Sequence, residues 1–273
     1  MQHNLYCKKS LKMQNKKSIT VVKIGGNIID DSQELKHFLA DFAKIDGLKV
    51  LVHGGGKSAT KMAQSIGLVP QMIDGRRITD AAMLEVVVMI YAGQINKDIV
   101  AQLQANSANA MGFSGADGNL IQSDKRNHPT IDYGFVGDVK KVNTPLLATL
   151  LNTGIVPVFC AITHDKNGQL LNTNADTIAS ELAIALSEVF EVTLSYCFEK
   201  SGVLYDAEDD SSVIAKMNPE LYAKLKAEKA IHSGMIPKLD NCFNSLSKGV
   251  QKIKIGQHKM LQDANAVCTT IEL

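Results

Sequence analysis

The chain has 273 residues, a formal net charge of +1, 45% hydrophobic residues and 21% charged ones. These proportions suit a globular protein large enough for one big α/β domain or two lobes. They exclude a nucleic-acid surface built on excess charge, and no apolar run approaches the roughly 20 residues of a membrane span. Residues 19–22, the first apolar run, are too short for a signal peptide, so a cytoplasmic protein is expected. The five cysteines (Cys7, Cys160, Cys197, Cys242, Cys268) form no C-x-x-C pair, which fits reduced thiols better than disulfides or a zinc site, and no metal ligand set is expected.

Residues 1–18 are polar with five lysines and read as a mobile, solvated tail. A first buried strand is expected over 19–24, where β-branched residues run into Lys23 and then Gly25-Gly26. Ligands of open parallel sheets sit beyond the carboxyl ends of the strands, so Lys23 is placed either to aim an ammonium into such a crevice or to snorkel at a sheet edge. A helix follows near 32–46, capped by Ser32 and ended by Gly47. The second strand, 49–53, enters Gly54-Gly55-Gly56 directly and a helix starts near Lys57. Strand, glycine turn and helix together aim backbone N–H groups at an anion; a tight packing turn is the competing reading. The spacing matches neither a P-loop nor G-x-G-x-x-G. His53 reads as a structural partner of the turn rather than a base.

Arg76 and Arg77 lie in a loop ahead of a long helix over roughly 80–104, capped by Thr79 or Asp80. That helix is apolar nearly all round in its first half, which suggests a subunit interface and a homodimer. Residues 111–127 read as turns around short extended pieces, 134–139 as a strand, and Thr144-Pro145 as a helix start. A buried strand over 155–162 leads through a hairpin at 163–168 to Asn172-Thr173-Asn174-Ala175-Asp176. Asn174 caps a helix over 175–187, with Asp176 in its first turn. The corner is either an ordinary capping cluster or a polar site of two amides and a carboxylate. A strand over 189–198 ends in Glu199-Lys200-Ser201-Gly202. Helices are expected at 218–228 and from Gly234-Met235-Ile236-Pro237-Lys238 to about 248, with last strands at 250–255 and 269–273. Lys238 is a cation in a first helical turn, against the macrodipole, and such a local rule broken without gain marks a functional position.

Alternating strands and helices give an α/β fold with a mainly parallel sheet. Its edge gathers lysines, glycine turns, an arginine and amides, with no paired catalytic carboxylates and no nucleophile–base set. Positive charge and backbone donors without a base suit phosphoryl transfer, which needs positioning and charge neutralisation above all.

The segments V-V-K-I-G-G, V-H-G-G-G, D-G-R-R-I-T, G-F-V-G-D-V, G-Q-L-L-N-T-N-A-D and G-M-I-P-K, in this order, resemble the ordered motifs of N-acetylglutamate kinases, within the amino-acid kinase superfamily. The resemblance covers about residues 19–273. It implies a three-layer α/β/α sandwich around an open, mainly parallel sheet. The lobe over 19–187 would bind the acyl-amino acid and form the dimer, and the lobe over 188–273 would bind ATP. It implies ATP-dependent phosphorylation of the γ-carboxylate of N-acetyl-L-glutamate, a step of arginine biosynthesis, with Mg²⁺ carried mainly by the nucleotide. By the same resemblance Lys23 and Lys238 would flank the transferring phosphoryl group, with Asp176 orienting both. Gly25, Gly26 and Gly54 would face phosphate, and Gly55 and Gly56 would give N–H groups near phosphate and substrate. Arg77 would grip the α-carboxylate, and Asn172 would bind the acylamino group, with Asn174 close by in the substrate site. Glu199, Lys200, Ile231 and His232 are the nucleotide-contact candidates. The γ-carboxylate is ionised at neutral pH, so the attack needs no general base.

The family stretch L-[ST]-D-V-x-G corresponds here to a segment read as a few residues longer, Leu194 to Gly202, with Glu199 replacing the aspartate. Arginine-inhibited members resemble one another in a longer N-terminal helix and a C-terminal signature. The 18-residue tail and the ending at Leu273 lack these, so arginine feedback is expected to be absent. The acyl group, acetyl or succinyl, stays open. So do another kinase of the superfamily and a non-catalytic amino-acid sensor, although Lys23, Asp176 and Lys238 argue against the sensor.

Overall fold

Strand β1 (Ser18–Ile24) is the middle of the molecule, with Val21, Val22 and Ile24 fully buried. In the computed structural model, which describes residues 16–73, 76–206, 208–228, 230–231 and 234–273, β1 pairs in parallel with strands on both sides. Most of the expected tail, residues 1–15, lies outside the described residues. Its end does not: Ser18 opens β1, and the Lys17 carbonyl accepts from the Glu191 N–H.

The chain runs from β1 through α1 (Gly26–Asp30) and α2 (Ser32–Ala43) to β2 (Leu48–His53) and α3 (Gly56–Ser65). A short hairpin, β3 (Met72–Ile73) and β4 (Arg76–Arg77), precedes α4 (Ala81–Val88), a π-helical stretch (Met89–Ile95) and α5 (Asn96–Ala105). Then come β5 (Ala110–Phe113), β6 (Ile121–Lys125), β7 (Gly137–Val142), α6 (Thr144–Asn152), β8 (Val156–Phe159), β9 (Ile162–His164), β10 (Leu170–Asn172) and α7 (Ala175–Ser187). The last elements are β11 (Glu191–Cys197), β12 (Lys216–Met217), α8 (Pro219–Ala227), α9 (Ile236–Ser247), β13 (Lys252–Gly256) and β14 (Cys268–Ile271).

The main sheet has the order β12-β14-β13-β11-β1-β2-β8-β5, parallel throughout except for the β13–β14 pair. Helices α6, α7 and α9 pack together on one face, and α1, α2, α3 and α5 with the π stretch form the other layer. This is the expected three-layer sandwich. A second, four-stranded sheet has the order β10-β9-β6-β7. The chain first builds outward from β1 through β2 on one side, and α7 later returns it to β11 on the other. That makes the carboxyl end of β1 a switch point, where a crevice opens.

Several expectations change in detail. Asp31, not Ser32, caps α2, accepting from the Gln33 and Glu34 N–H groups, and Asn143 rather than Thr144 caps α6. Of the two candidates for α4, Asp80 is the cap. Gly25 caps the single-turn helix α1, whose first residue is Gly26. The strand expected over 134–139 begins only at Gly137. Gly134, at φ +71°, is spent on a close approach of backbone to Thr79, whose carbonyl accepts from the Phe135 N–H. The long helix exists over 81–105, but its middle is π-helical, an insertion that periodicity does not reveal.

Candidate active site

Lys23 is the next-to-last residue of β1, opposite Tyr196 in β11 and Val52 in β2. Its ammonium lies 2.8 Å from Asp176 Oδ1. Lys238, in the first turn of α9, lies 3.5 Å from Asp176 Oδ2. One carboxylate is thus shared by two ammoniums from distant parts of the chain, with side chains 13%, 21% and 16% exposed for Lys23, Asp176 and Lys238. Burial alone would push the Asp176 carboxyl up; Lys23 and then Lys238 reverse this and hold it at about 2. Burial lowers the Lys238 ammonium from its ordinary value, with Asp176 opposing the shift. The carboxylate stays ionised at neutral pH and carries no transferable proton. It fixes two cations instead.

Local sequence explains why Asp176 sits there. Asn174 Oδ1 accepts from the N–H groups of Asp176 and Thr177 at 2.8 and 3.0 Å and so starts α7. A carboxylate in this first turn also suits the helix dipole. The capping cluster and the polar corner are one object. The Asn174-Ala175 step forms the rim of a cavity of about 200 Å³ lined also by Gly54, Gly55, Gly56, Arg77 and Asn172. The cavity ends one residue from the carboxylate that joins the lysines.

The glycine turn has a packing reason as well. Gly55 sits at φ +151°, and a Cβ there would lie 2.3 Å from Ile95 Cδ1 and 3.0 Å from Tyr91 Cδ1. The π-helical stretch is what presses Tyr91 and Ile95 against this backbone. His53 is fully buried behind the turn, with Nδ1 2.9 Å from the Gly54 carbonyl and Nε2 3.0 Å from Asn96 Nδ2. The amide donates to Nε2, so Nδ1 carries the proton and donates to Gly54. Burial drives the imidazole down to about 4, leaving it neutral. It props the turn and is no base at neutral pH.

Arg77 is 8% exposed, and its Nη2 donates to the Gly56 carbonyl at 2.9 Å and to Thr60 Oγ1 at 2.8 Å. The guanidinium is thereby held flat against the glycine turn, at the cavity wall. Asn172 Nδ2 donates to Thr79 Oγ1 at 3.0 Å. Gly25 packs under Phe198: a Cβ there would meet the Cys197 carbonyl at 3.1 Å and Phe198 Cβ at 3.2 Å.

Among the described residues no group of three His, Cys, Asp or Glu side chains could hold a metal ion. The arrangement is a carboxylate shared by two ammoniums beside a cavity lined by a glycine turn and by Arg76, Arg77 and Arg126. The sequence model of the amino acid kinase family matches residues 18–257. The chain belongs to the amino acid kinase family. It is similar to the acetylglutamate kinase of Cytophaga hutchinsonii, at 55% identity over 242 residues, 88% of this chain and 92% of the relative. It is similar also to that of Phocaeicola vulgatus, at 53% identity over 240 residues, 88% of this chain and 93% of the relative. Among solved structures, the N-acetylglutamate synthase of Neisseria gonorrhoeae, complexed with coenzyme A and N-acetyl-glutamate, superposes with a TM-score of 0.80 over 95% of this chain and 60% of that one. At 18% identity that likeness is one of fold.

An amino acid kinase also needs a nucleotide region, and here the expected residues are scattered. Glu199 accepts from Asn27 Nδ2 at 2.7 Å, and Asn27 accepts from Lys57, a polar chain that ties the glycine turn to the end of β11. Glu199 also lines a cleft of about 820 Å³ with Asp31, Asp41 and His258. The Lys200 ammonium pairs with Asp210 at the surface, while Ile231 is buried in the core. His232 lies outside the described residues. β11 ends at Cys197, so Glu199 stands two residues beyond the strand.

Sequence reasoning missed several cavity residues in this amino acid kinase. Tyr91 looked like one more residue of an apolar helix. Arg126 lay in a region read as turns, where it pairs with Asp138, its Nε 3.1 Å from both carboxylate oxygens. Asn27 could have been found as the only polar side chain directly after the first glycine pair.

Proposed function

We propose that this amino acid kinase transfers the γ-phosphoryl group of ATP to the γ-carboxylate of N-acetyl-L-glutamate, giving the acyl phosphate used in arginine biosynthesis. Asp176 held between Lys23 and Lys238, at the rim of the Arg77 cavity, carries this reading. The acetylglutamate kinases at 53–55% identity support it. Arg77 binds the α-carboxylate, its planar fork matched to two oxygens. Asn172 binds the acylamino group, with Asn174 close by in the substrate site. The N–H groups of Gly25, Gly26 and Gly54 face the phosphates, and those of Gly55 and Gly56 the junction of phosphate and substrate.

The ionised γ-carboxylate attacks directly. The two ammoniums neutralise charge that spreads over the transferring oxygens, one from β1 and one from α9. Asp176 keeps them apart and aimed. Magnesium would be carried mainly by the nucleotide, because the Asp176 carboxylate is already shared by two cations. In this reading the chain up to about residue 187 holds the acyl-amino acid, and the remainder, with Glu199 just past the end of β11, holds the nucleotide. The enzyme works as a homodimer in the cytoplasm. The dimer reading is supported by α3 packing on the π stretch, with Met62, Ile66 and Met89 there 39%, 57% and 57% exposed.

A second reading keeps the chemistry and changes the acyl group. Arg76 lines the cavity beside Arg77, while Arg126 is held by Asp138. A carboxylate on the acyl chain, as in N-succinyl-L-glutamate, would give Arg76 a partner. ADP release should be measured with N-acetyl- and N-succinyl-L-glutamate, glutamate, aspartate, carbamate and uridylate. Turnover confined to the acylglutamates supports the proposal and their ratio chooses the acyl group. Turnover of another acceptor, or binding without ADP release, overturns it.

A further inference from the structure

Asp176 does not hold its two lysines equally. It lies 2.8 Å from the Lys23 ammonium and 3.5 Å from that of Lys238, and it has one negative charge to give. Lys238 is also the worse placed of the two, because the first turn of α9 points its N–H groups toward a cation. Burial lowers its affinity for the proton. Something else keeps this ammonium charged and in place.

Two aromatic rings do so. The Lys238 ammonium lies 5.2 Å from the centroid of Tyr196 and 5.5 Å from that of Phe198. The residues are two apart at the end of β11, so their side chains share one face of the strand. Neither ring is loose. Tyr196 is 1% exposed, and its hydroxyl is 2.7 Å from Ser180 Oγ on α7. The Phe198 backbone is tied to β13 by its N–H bond to the Gly256 carbonyl at 3.0 Å, and its Cβ packs over Gly25. An aromatic face attracts a cation through its quadrupole, and more strongly where water is displaced.

We infer that Tyr196 and Phe198 are positioning residues that cradle the Lys238 ammonium between two aromatic faces and aim it at the transferring phosphoryl group. This deepens the kinase reading and rests on it. The cradle favours the cation without adding a second anion, which would repel the phosphates. It also lets Lys238 keep its place when phosphate oxygens draw the ammonium away from Asp176.

The groups facing Lys238 are Asp176 on α7, Lys23 on β1, Cys197 and Tyr196 on β11, and Cys242 on α9. A Phe198→Leu variant alters none of them and keeps an apolar side chain of similar bulk. It should lower kcat about 3- to 30-fold, the range of one lost cation–π contact, with the acylglutamate KM within two- to three-fold. The alkaline limb of kcat should move toward neutral pH. Phe198→Tyr should recover most of the rate. Packing alone would predict the reverse, with Leu tolerated and the added hydroxyl penalised.

A readout that needs no turnover separates failure of this inference from failure of the kinase reading. In protein labelled with ¹³Cε,¹⁵Nζ-lysine, with the Lys238 resonance assigned through Lys238→Arg, the ammonium is titrated by NMR. Phe198→Leu should titrate about 0.5–1.5 pH units below wild type, and Phe198→Tyr with it. Should Phe198→Leu not fold, Phe198→Met takes its place in both measurements. A titration unmoved or raised in the folded variant, or an unchanged kcat, overturns the cradle. Wild-type protein that releases no ADP with any acylglutamate overturns the kinase reading and leaves the titration to judge the cradle by itself.

Discussion

The reacting centre depends on a few side chains whose surroundings differ in kind. Arg77 is fixed by neutral partners, among them the Gly56 carbonyl and Thr60 Oγ1, so its positive charge is free for a ligand. Arg77→Ala should raise the acylglutamate KM by roughly 10- to 100-fold, the worth of a charged hydrogen bond, with a smaller effect on kcat. Initial rates against both substrates decide it, and a change confined to the ATP KM would show that Arg77 serves the nucleotide. His53 makes a different prediction. Its imidazole has a folded value of about 4 against 6.5 unfolded, so the unfolded chain binds a proton the folded chain refuses. The stabilisation is present above pH 6.5 and lost as the pH falls toward 4, by an amount on the order of 3 kcal/mol. Urea unfolding at pH 7.5 and 4.5 should show this loss in wild type and a smaller one in His53→Gln, which keeps a polar side chain in place. Equal losses in both would remove His53 as the cause.

At the scale of elements, much was legible because local chemistry and tertiary role agree. Asn174 capping α7, Pro237 opening α9 and the β-branched run of β1 all read directly from residue types. The long apolar helix was legible as a helix but not in its detail. Its apolar girth is largely consumed within the chain, where Leu84, Val87, Tyr91, Ile95 and Ile99 are buried, and the π stretch that brings Tyr91 to Gly55 leaves no periodic trace. The strand starting at Gly137 was placed early, because the Gly134-Phe135-Val136 run pairs with Thr79 and Asn172 as isolated bridges. Residues such as Arg126 and Asn27 were not legible, since their importance lies in partners 12 and 172 positions away. The fit of the π stretch to the glycine turn is itself testable. Gly55→Ala meets both an unfavourable φ and the side chains of Tyr91 and Ile95. It should lose at least about 1–3 kcal/mol in urea unfolding and most of its activity. A variant with wild-type stability would mean that this contact is not tight.

Across the whole molecule, β1 joins two halves of one sheet, and the site lies where they meet. Lys23 comes from the central strand, Asp176 from the last helix before the sheet crosses over, and Lys238 from a helix near the end of the chain. The face carrying Met62, Ile66 and Met89 is expected to be covered by a second copy. Light scattering at micromolar concentration should give twice the 29.6 kDa chain mass, and a monomer would refute it. The central claim is that the two lysines stabilise the transition state more than the bound substrates. Its most direct test is the steady-state rate of Lys238→Ala with ATP and acylglutamate both varied. The expected result is a kcat lowered by about 10²–10³ with the acylglutamate KM within a few-fold, the usual cost of one lost transition-state donor. Wild-type turnover in Lys238→Ala, or a loss confined to KM, would contradict the account and leave Lys238 as a structural cation at a helix start.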